Sequence, residues 1–142
     1  MYNLDVWCVF MCTFPCTIPF IMTSHFFMTA HKRIHTGVRS IATQDEWDEA
    51  LVESKHSRVA VFVQFTGKFC QPCKRIAPFF DSLASSQPGI FIRVDIEELP
   101  DLALGEGVGV IPAFHCYKDG KLVESMRGDS PEKLHEFTKR HS

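Results

Sequence analysis

Val59, Ala60, Val61, Phe62 and Val63, running on into Gln64 and Phe65, make a nearly unbroken apolar stretch rich in β-branched side chains. Its length and its lack of alternation suit a strand buried on both faces, as in a parallel or mixed sheet lying under helices. Downstream, Ile76, Ala77, Phe79, Phe80 and Leu83 fall on one helical stripe within residues 72–84. Between the two lie Phe69, Cys70, Gln71, Pro72, Cys73 and Lys74. The cysteine pair therefore sits where a central strand ends and a helix begins.

That position carries chemistry. Unpaired backbone N–H groups and the positive end of the helix dipole favour an anion, so a thiolate at Cys70 is stabilised there. Pro72, near the first helical position, costs nothing because its missing N–H would have no intrahelical partner. Two cysteines separated by two residues can close a small disulfide and reopen it. Cys70, nearer the helix end, is the expected attacking thiol, and Cys73, one turn in, resolves the mixed disulfide. The rival reading is half of a zinc site, which needs a second pair of ligands. Only Cys116 and scattered histidines follow, none at ligand spacing. Redox chemistry is preferred and no metal is expected.

With these residues in hand, the chain resembles the thioredoxin family over about residues 40–141. Cys70 to Pro78, followed by Asp81, Leu83 and Ala84, is similar to the family's active-site helix, with Pro78 as its kink proline. Val110, Ile111, Pro112, Ala113 and Phe114 resemble the loop whose cis-proline faces the disulfide. Tyr117, Lys118, Asp119, Gly120 and Lys121, then Gly128, match the terminal hairpin and the glycine after it. The resemblance implies an α/β thioredoxin fold, a central mixed β-sheet flanked by helices on both faces. It makes Ile111 and Pro112 candidate substrate-binding residues, because the family's cis-proline loop pairs main chain with an extended substrate.

Departures from the family cluster around the cysteines. Gln64 stands where thioredoxins usually bury an aspartate that exchanges a proton with the resolving thiol. An amide hydrogen-bonds but does not titrate in the working range. Acid–base help is worth roughly 10²–10⁴ in rate, so exchange is expected to be slower by up to that factor. Thr66 and Phe69 replace tryptophans, and Gln71 replaces the glycine between the thiols, a position that shifts redox poise. Lys68 and Lys74 are expected to add positive charge near Cys70. Phe69, Gln71, Pro72, Lys74 and Gln64 are thus the candidate supporting residues.

The rest of the chain reads in order. Residues 39–42 are a short strand. Thr43 and Glu46 form a capping box that opens a helix to about residue 54, with Trp47, Ala50 and Leu51 inward. Residues 85–89 are a loop, 90–95 a second inner strand, and a short helix ends at Glu106. Residues 113–118 and 121–127 make an antiparallel hairpin about Asp119 and Gly120. A last helix opens at Ser130 and Pro131, with Leu134 and Phe137 inward. Cys116 and His115 are read as structural. The order is βαβαβαββα.

The length of 142 residues divides naturally into one domain, 38–142, and an apolar N-terminal extension, 1–37. Residues 6–28 carry no Asp, Glu, Lys or Arg, a run long enough to cross a bilayer, though Pro15 and Pro19 weaken that reading. No acid lies between Asp5 and Asp45, so a chain begun at Met22 or Met28 resembles a mitochondrial transit peptide. The order of preference is a poorly ordered extension, then mitochondrial targeting, then a membrane anchor. Cys12, Cys16, His31 and His35 imitate a zinc finger, but the gap from Cys16 to His31 holds fourteen residues against the pattern's about twelve. The net charge of −2 is mixed in sign and suggests no nucleic acid. Six cysteines fall in two unlike groups, which points to a reducing compartment, the cytoplasm first and the mitochondrion second.

The function implied is that of a protein-disulfide oxidoreductase in cell redox homeostasis. It would take disulfide-containing proteins as substrates and a thioredoxin-reductase-type or other thiol donor as its source of electrons, with no bound cofactor. The alternative is a thioredoxin-fold peptide-binding module with weak or no exchange activity.

Overall fold

The computed structural model describes residues 37–142. The extension, its possible span, the alternative starts at Met22 and Met28 and the finger-like cysteines and histidines lie outside the described residues. Five strands and four helices follow in the expected order: β1 (Val38–Ile41), α1 (Gln44–Ser57), β2 (Val61–Thr66), α2 (Gln71–Ser86), β3 (Ile90–Asp95), α3 (Pro100–Gly105), β4 (Ala113–Lys118), β5 (Lys121–Arg127) and α4 (Pro131–His141). Among these, no helix is long and apolar enough to cross a membrane.

The sheet runs β1-β3-β2-β4-β5. β1, β3 and β2 are parallel, β4 is antiparallel to β2, and β5 to β4. β2 lies at the centre, and Val61, Phe62, Val63, Gln64 and Phe65 are all buried. This explains the lack of alternation: both of its faces are covered. Val61, Val63 and Phe65 pack with Trp47 and Ala50 of α1 and Leu102 of α3. Phe62 packs on the other face with Ile76, Phe80 and Leu83 of α2 and Leu134 and Phe137 of α4.

Local chemistry sets the element ends. Thr43 Oγ1 accepts from the Glu46 N–H at 3.3 Å, and Glu46 Oε2 accepts from the Thr43 N–H at 3.3 Å, the reciprocal cap that starts α1. The helix runs three residues past the expected end because Arg58 takes the left-handed conformation that stops it (φ 55°). Ser54, on the buried side of that last turn, donates to the Val59 carbonyl at 2.7 Å. The β4–β5 turn places both Asp119 (φ 53°) and Gly120 (φ 73°) at positive φ, the pairing that matches strand twist in a two-residue hairpin. α2 takes in Ser85 and Ser86, whose hydroxyls donate to carbonyls one turn back and satisfy them. It also runs through Pro78 without interruption.

Candidate active site

β2 ends at Thr66, a short loop turns, and α2 begins at Gln71. Cys70 is the N-cap of that helix, with extended backbone angles, and its sulfur accepts from the Cys73 N–H at 3.2 Å. The Cys70 N–H is held by the Gly67 carbonyl at 3.1 Å, which fixes the approach to the helix. Pro72 occupies the first turn, where a missing donor costs nothing. Cys70 and Cys73 are joined as a disulfide with a Cα–Cα distance of 5.3 Å.

The two sulfurs differ in access. Cys73 is 1% exposed, beside Ile76 on the buried side of α2, whereas Cys70 is half-buried. Only the outer sulfur can meet another protein. The residue before it, Phe69, is apolar and 86% exposed. Gln71 and Lys74 are exposed and Pro72 half-buried.

The loop before β4 comes to the same end of the sheet. Ala113 pairs with Phe65, so Pro112 lies one step beyond, beside the end of β2. The Ile111–Pro112 bond is cis, as the resemblance implied. The Ile111 side chain rests on Gly67: a Cβ placed there would stand 3.0 Å from Ile111 Cδ1. The Pro112 carbonyl accepts from the Gly128 N–H at 3.0 Å, tying this loop to the end of β5. Just beyond, Arg75 of α2 pairs with Asp129 at 2.7 Å and holds that carboxyl below the usual carboxylate range. The structure thus gathers Cys70, Cys73, Phe69, Ile111 and Pro112 at one end of the sheet.

One expectation changes. Lys68 does not stand as a free cation near Cys70: its ammonium lies 3.9 Å from Glu98, and its N–H donates to Glu97 at 3.2 Å. Both partners of that ion pair are well exposed. The Gln64 amide is only half satisfied. Its oxygen accepts from Arg93 Nε at 2.9 Å, but its nitrogen has no acceptor among the described residues. Arg93 in turn pairs with Asp81 at 2.8 Å. Arg93, Gly67 and Asp129 were not foreseen, and Asp81 was named only within the active-site helix pattern. Arg93 left one signal, a single charge inside the apolar strand Ile90–Asp95.

His115 lies on the opposite face of the sheet, 6% exposed, with Nδ1 3.1 Å from the Tyr117 hydroxyl, which donates to Glu106. It is held inside the layer under α1 and away from the cysteines. Cys116 is fully buried and its thiol is pushed up to about 11, mainly by burial, so it is no nucleophile.

Comparison with known proteins adds to this geometry. The family model described as Thioredoxin matches residues 38–140. Thioredoxin H-type of Chlamydomonas reinhardtii is 35% identical over 104 residues, 72% of this chain and 92% of that protein. Thioredoxin H1 of Arabidopsis thaliana is 34% identical, covering 70% of this chain and 88% of its own. The crystal structure of a poplar wild-type thioredoxin h superposes with a TM-score of 0.71 at 30% identity, over 73% of this chain and 95% of that one.

Proposed function

This chain belongs to the thioredoxin family and has the family's fold and thiol–disulfide oxidoreductase activity; from that premise we propose that it is a dithiol reductant of protein disulfides working through Cys70 and Cys73. The Cys70 thiolate attacks one sulfur of a substrate disulfide and the other substrate sulfur leaves. Cys73 then attacks Cys70, closing the Cys70–Cys73 bond and freeing the second substrate sulfur. Two electrons pass to the substrate. A reductase-type or other thiol donor returns them.

The observation that carries this reading is the unequal burial of two bonded sulfurs at the mouth of α2, one reachable and one 1% exposed. Ile111, Pro112 and the exposed Phe69 supply the apolar edge for an extended substrate segment. In this reading residues 38–142 are the working domain, residues 1–37 an extension, and cell redox homeostasis in the cytoplasm the setting, with the mitochondrion second.

The test is insulin disulfide reduction driven by dithiothreitol. Cys73→Ser and Cys70→Ser should each abolish turnover, and Cys73→Ser should trap a mixed disulfide at Cys70. Turnover equal to wild type in Cys73→Ser would end the enzyme reading.

A further inference from the structure

Arg75 and Asp129 meet beside the candidate active site, and the exchange steps above give them no part. Arg75 is exposed on α2, two residues past Cys73. Asp129 follows Gly128, whose N–H is held by the Pro112 carbonyl at 3.0 Å. Arg75 Nε and Nη2 both donate to one oxygen, Asp129 Oδ2, at 3.2 and 2.7 Å. The pair therefore spans from the helix that carries the buried sulfur to the segment tied to the cis-proline loop. With side chains 65% and 37% exposed, such an ion pair adds little to stability.

The hydrogen-bond arrangement leaves the guanidinium available. Only Nε and one N–H of Nη2 are used, so Nη1 has no partner among the described residues. Asp129 fixes the plane of the group and leaves that outer edge of the fork open.

The charge around the site is divided by side. In the sheet, β3 lies on one side of β2 and β4, and β5 on the other. On the β5 side, Lys74 and Arg127 are exposed and neither forms an ion pair among the described residues. With Arg75 they outnumber the Asp129 carboxylate. On the β3 side the balance is reversed. Glu98 lies 3.9 Å from the Lys68 ammonium, and Glu97 accepts from the Lys68 N–H and reaches within 3.4 Å of where a Gly67 Cβ would stand. An anionic group on a substrate is drawn toward Arg75 and repelled from Glu97 and Glu98.

We propose that Arg75, with Asp129 as its positioning residue, is a specificity-determining residue that selects protein disulfides carrying an Asp or Glu beside the attacked cysteine. This role rests on the reductant reading above and names the substrate class of that same site. The substrate carboxylate lies against the open Nη1 edge while the main chain of the segment pairs along Ile111 and Pro112. The exchange steps are unchanged: Cys70 and Cys73 still supply both electrons, and Arg75 acts on binding.

The test uses the full-length chain and a pair of synthetic peptides, each closed by an internal disulfide and differing only in Glu or Lys next to the cysteines. With dithiothreitol as donor, wild type should reduce the Glu peptide with about threefold higher kcat/KM, a preference that fades as salt is raised. Arg75→Gln should abolish the preference by raising KM for the Glu peptide and lowering it for the Lys peptide, a crossed effect that a damaged fold does not give. Arg75→Lys keeps the charge without the fork and should retain part of the preference. Asp129→Asn removes the counter-charge and should widen it. Equal kcat/KM for the two peptides in wild type, or an unchanged preference in Arg75→Gln, would overturn the proposal. The same peptides with serine in place of cysteine, titrated against the 15N-labelled protein, read binding without exchange. A Glu preference there, in a protein that reduces neither peptide nor insulin, would support the role of Arg75 while removing the reductant reading; equal affinities would overturn that role.

Discussion

Ile111 Cδ1 rests on the bare α-carbon of Gly67, close enough that a Cβ there would stand 3.0 Å away. The loop that carries the cis-proline is thus seated directly on the loop that delivers Cys70. The proposed substrate edge and the proposed nucleophile are joined by a contact between residues 44 positions apart in sequence.

Ile111→Ala should therefore weaken protein substrates while sparing the thiol itself. Truncating an anchoring apolar side chain costs about 1 kcal/mol or more, so KM for insulin should rise roughly fivefold. The rate of Cys70 alkylation by iodoacetamide should hold at the wild-type value. A parallel loss in both readouts would mean that Ile111 shapes the helix mouth and not the substrate.

The face of the sheet under α2 depends on its aromatic packing. Phe80 is 0% exposed, with its ring 5.3 Å from Phe91 and 5.6 Å from Phe114. Phe80→Ala should cost about 3–5 kcal/mol, read as a lower urea midpoint at unchanged slope. A loss under about 1 kcal/mol would show that the helix collapses onto the gap.

Mild acid should destabilise the fold through His115. Burial holds its pKa below the ordinary 6.5; the Glu106 carboxylate opposes this and Arg127 reinforces it. The Tyr117 hydroxyl gives its one proton to Glu106, so the ring nitrogen facing it must be a donor, the neutral Nδ1–H tautomer. The unfolded chain binds this proton first, so stability is complete above pH 6.5 and declines as pH falls toward the folded value. Urea unfolding at pH 7.5 and 5.5 should show the decline, and His115→Leu should flatten it. An equal slope in the variant would assign the effect elsewhere.

Alkali should act on both sides of the same strand, at Cys116 on the α2 face and at Tyr117 beside His115. Burial raises Cys116 from 9.0 to about 11, and burial and the Glu106 hydrogen bond push Tyr117 up further. The unfolded chain loses these protons first, so stability falls as pH rises from 9.0 through about 11. Cys116→Val should remove part of that fall. A variant that tracks wild type from pH 8 to 11 would leave Tyr117 as its source.

Much of this was legible in sequence, because the deciding patterns are local. The unbroken apolar run around Val61 and Phe65 announced a strand covered on both sides, and the Thr43–Glu46 pair announced a capped helix. Cys70 and Cys73 announced their chemistry by spacing and by the helix that follows them. Helix ends were less legible: α1 stops where Arg58 can take a left-handed turn, which no pattern marks. Gln64 stood out as a lone polar residue in an apolar strand, but nothing around it names a partner.

That partner comes from the sheet. Pairing β2 with β3 brings Arg93 beside Gln64 from 29 residues away, and packing α2 above them brings Asp81 to Arg93. Sequence alone determined which segments become strands and helices and where the reactive sulfurs lie, since propensity and periodicity act over a few residues. The tertiary structure decided which way the Gln64 amide faces, which carboxylate Lys68 meets and which loop Ile111 touches. Those outcomes depend on strand register and helix packing, and both are set by burying the apolar faces of the whole domain together.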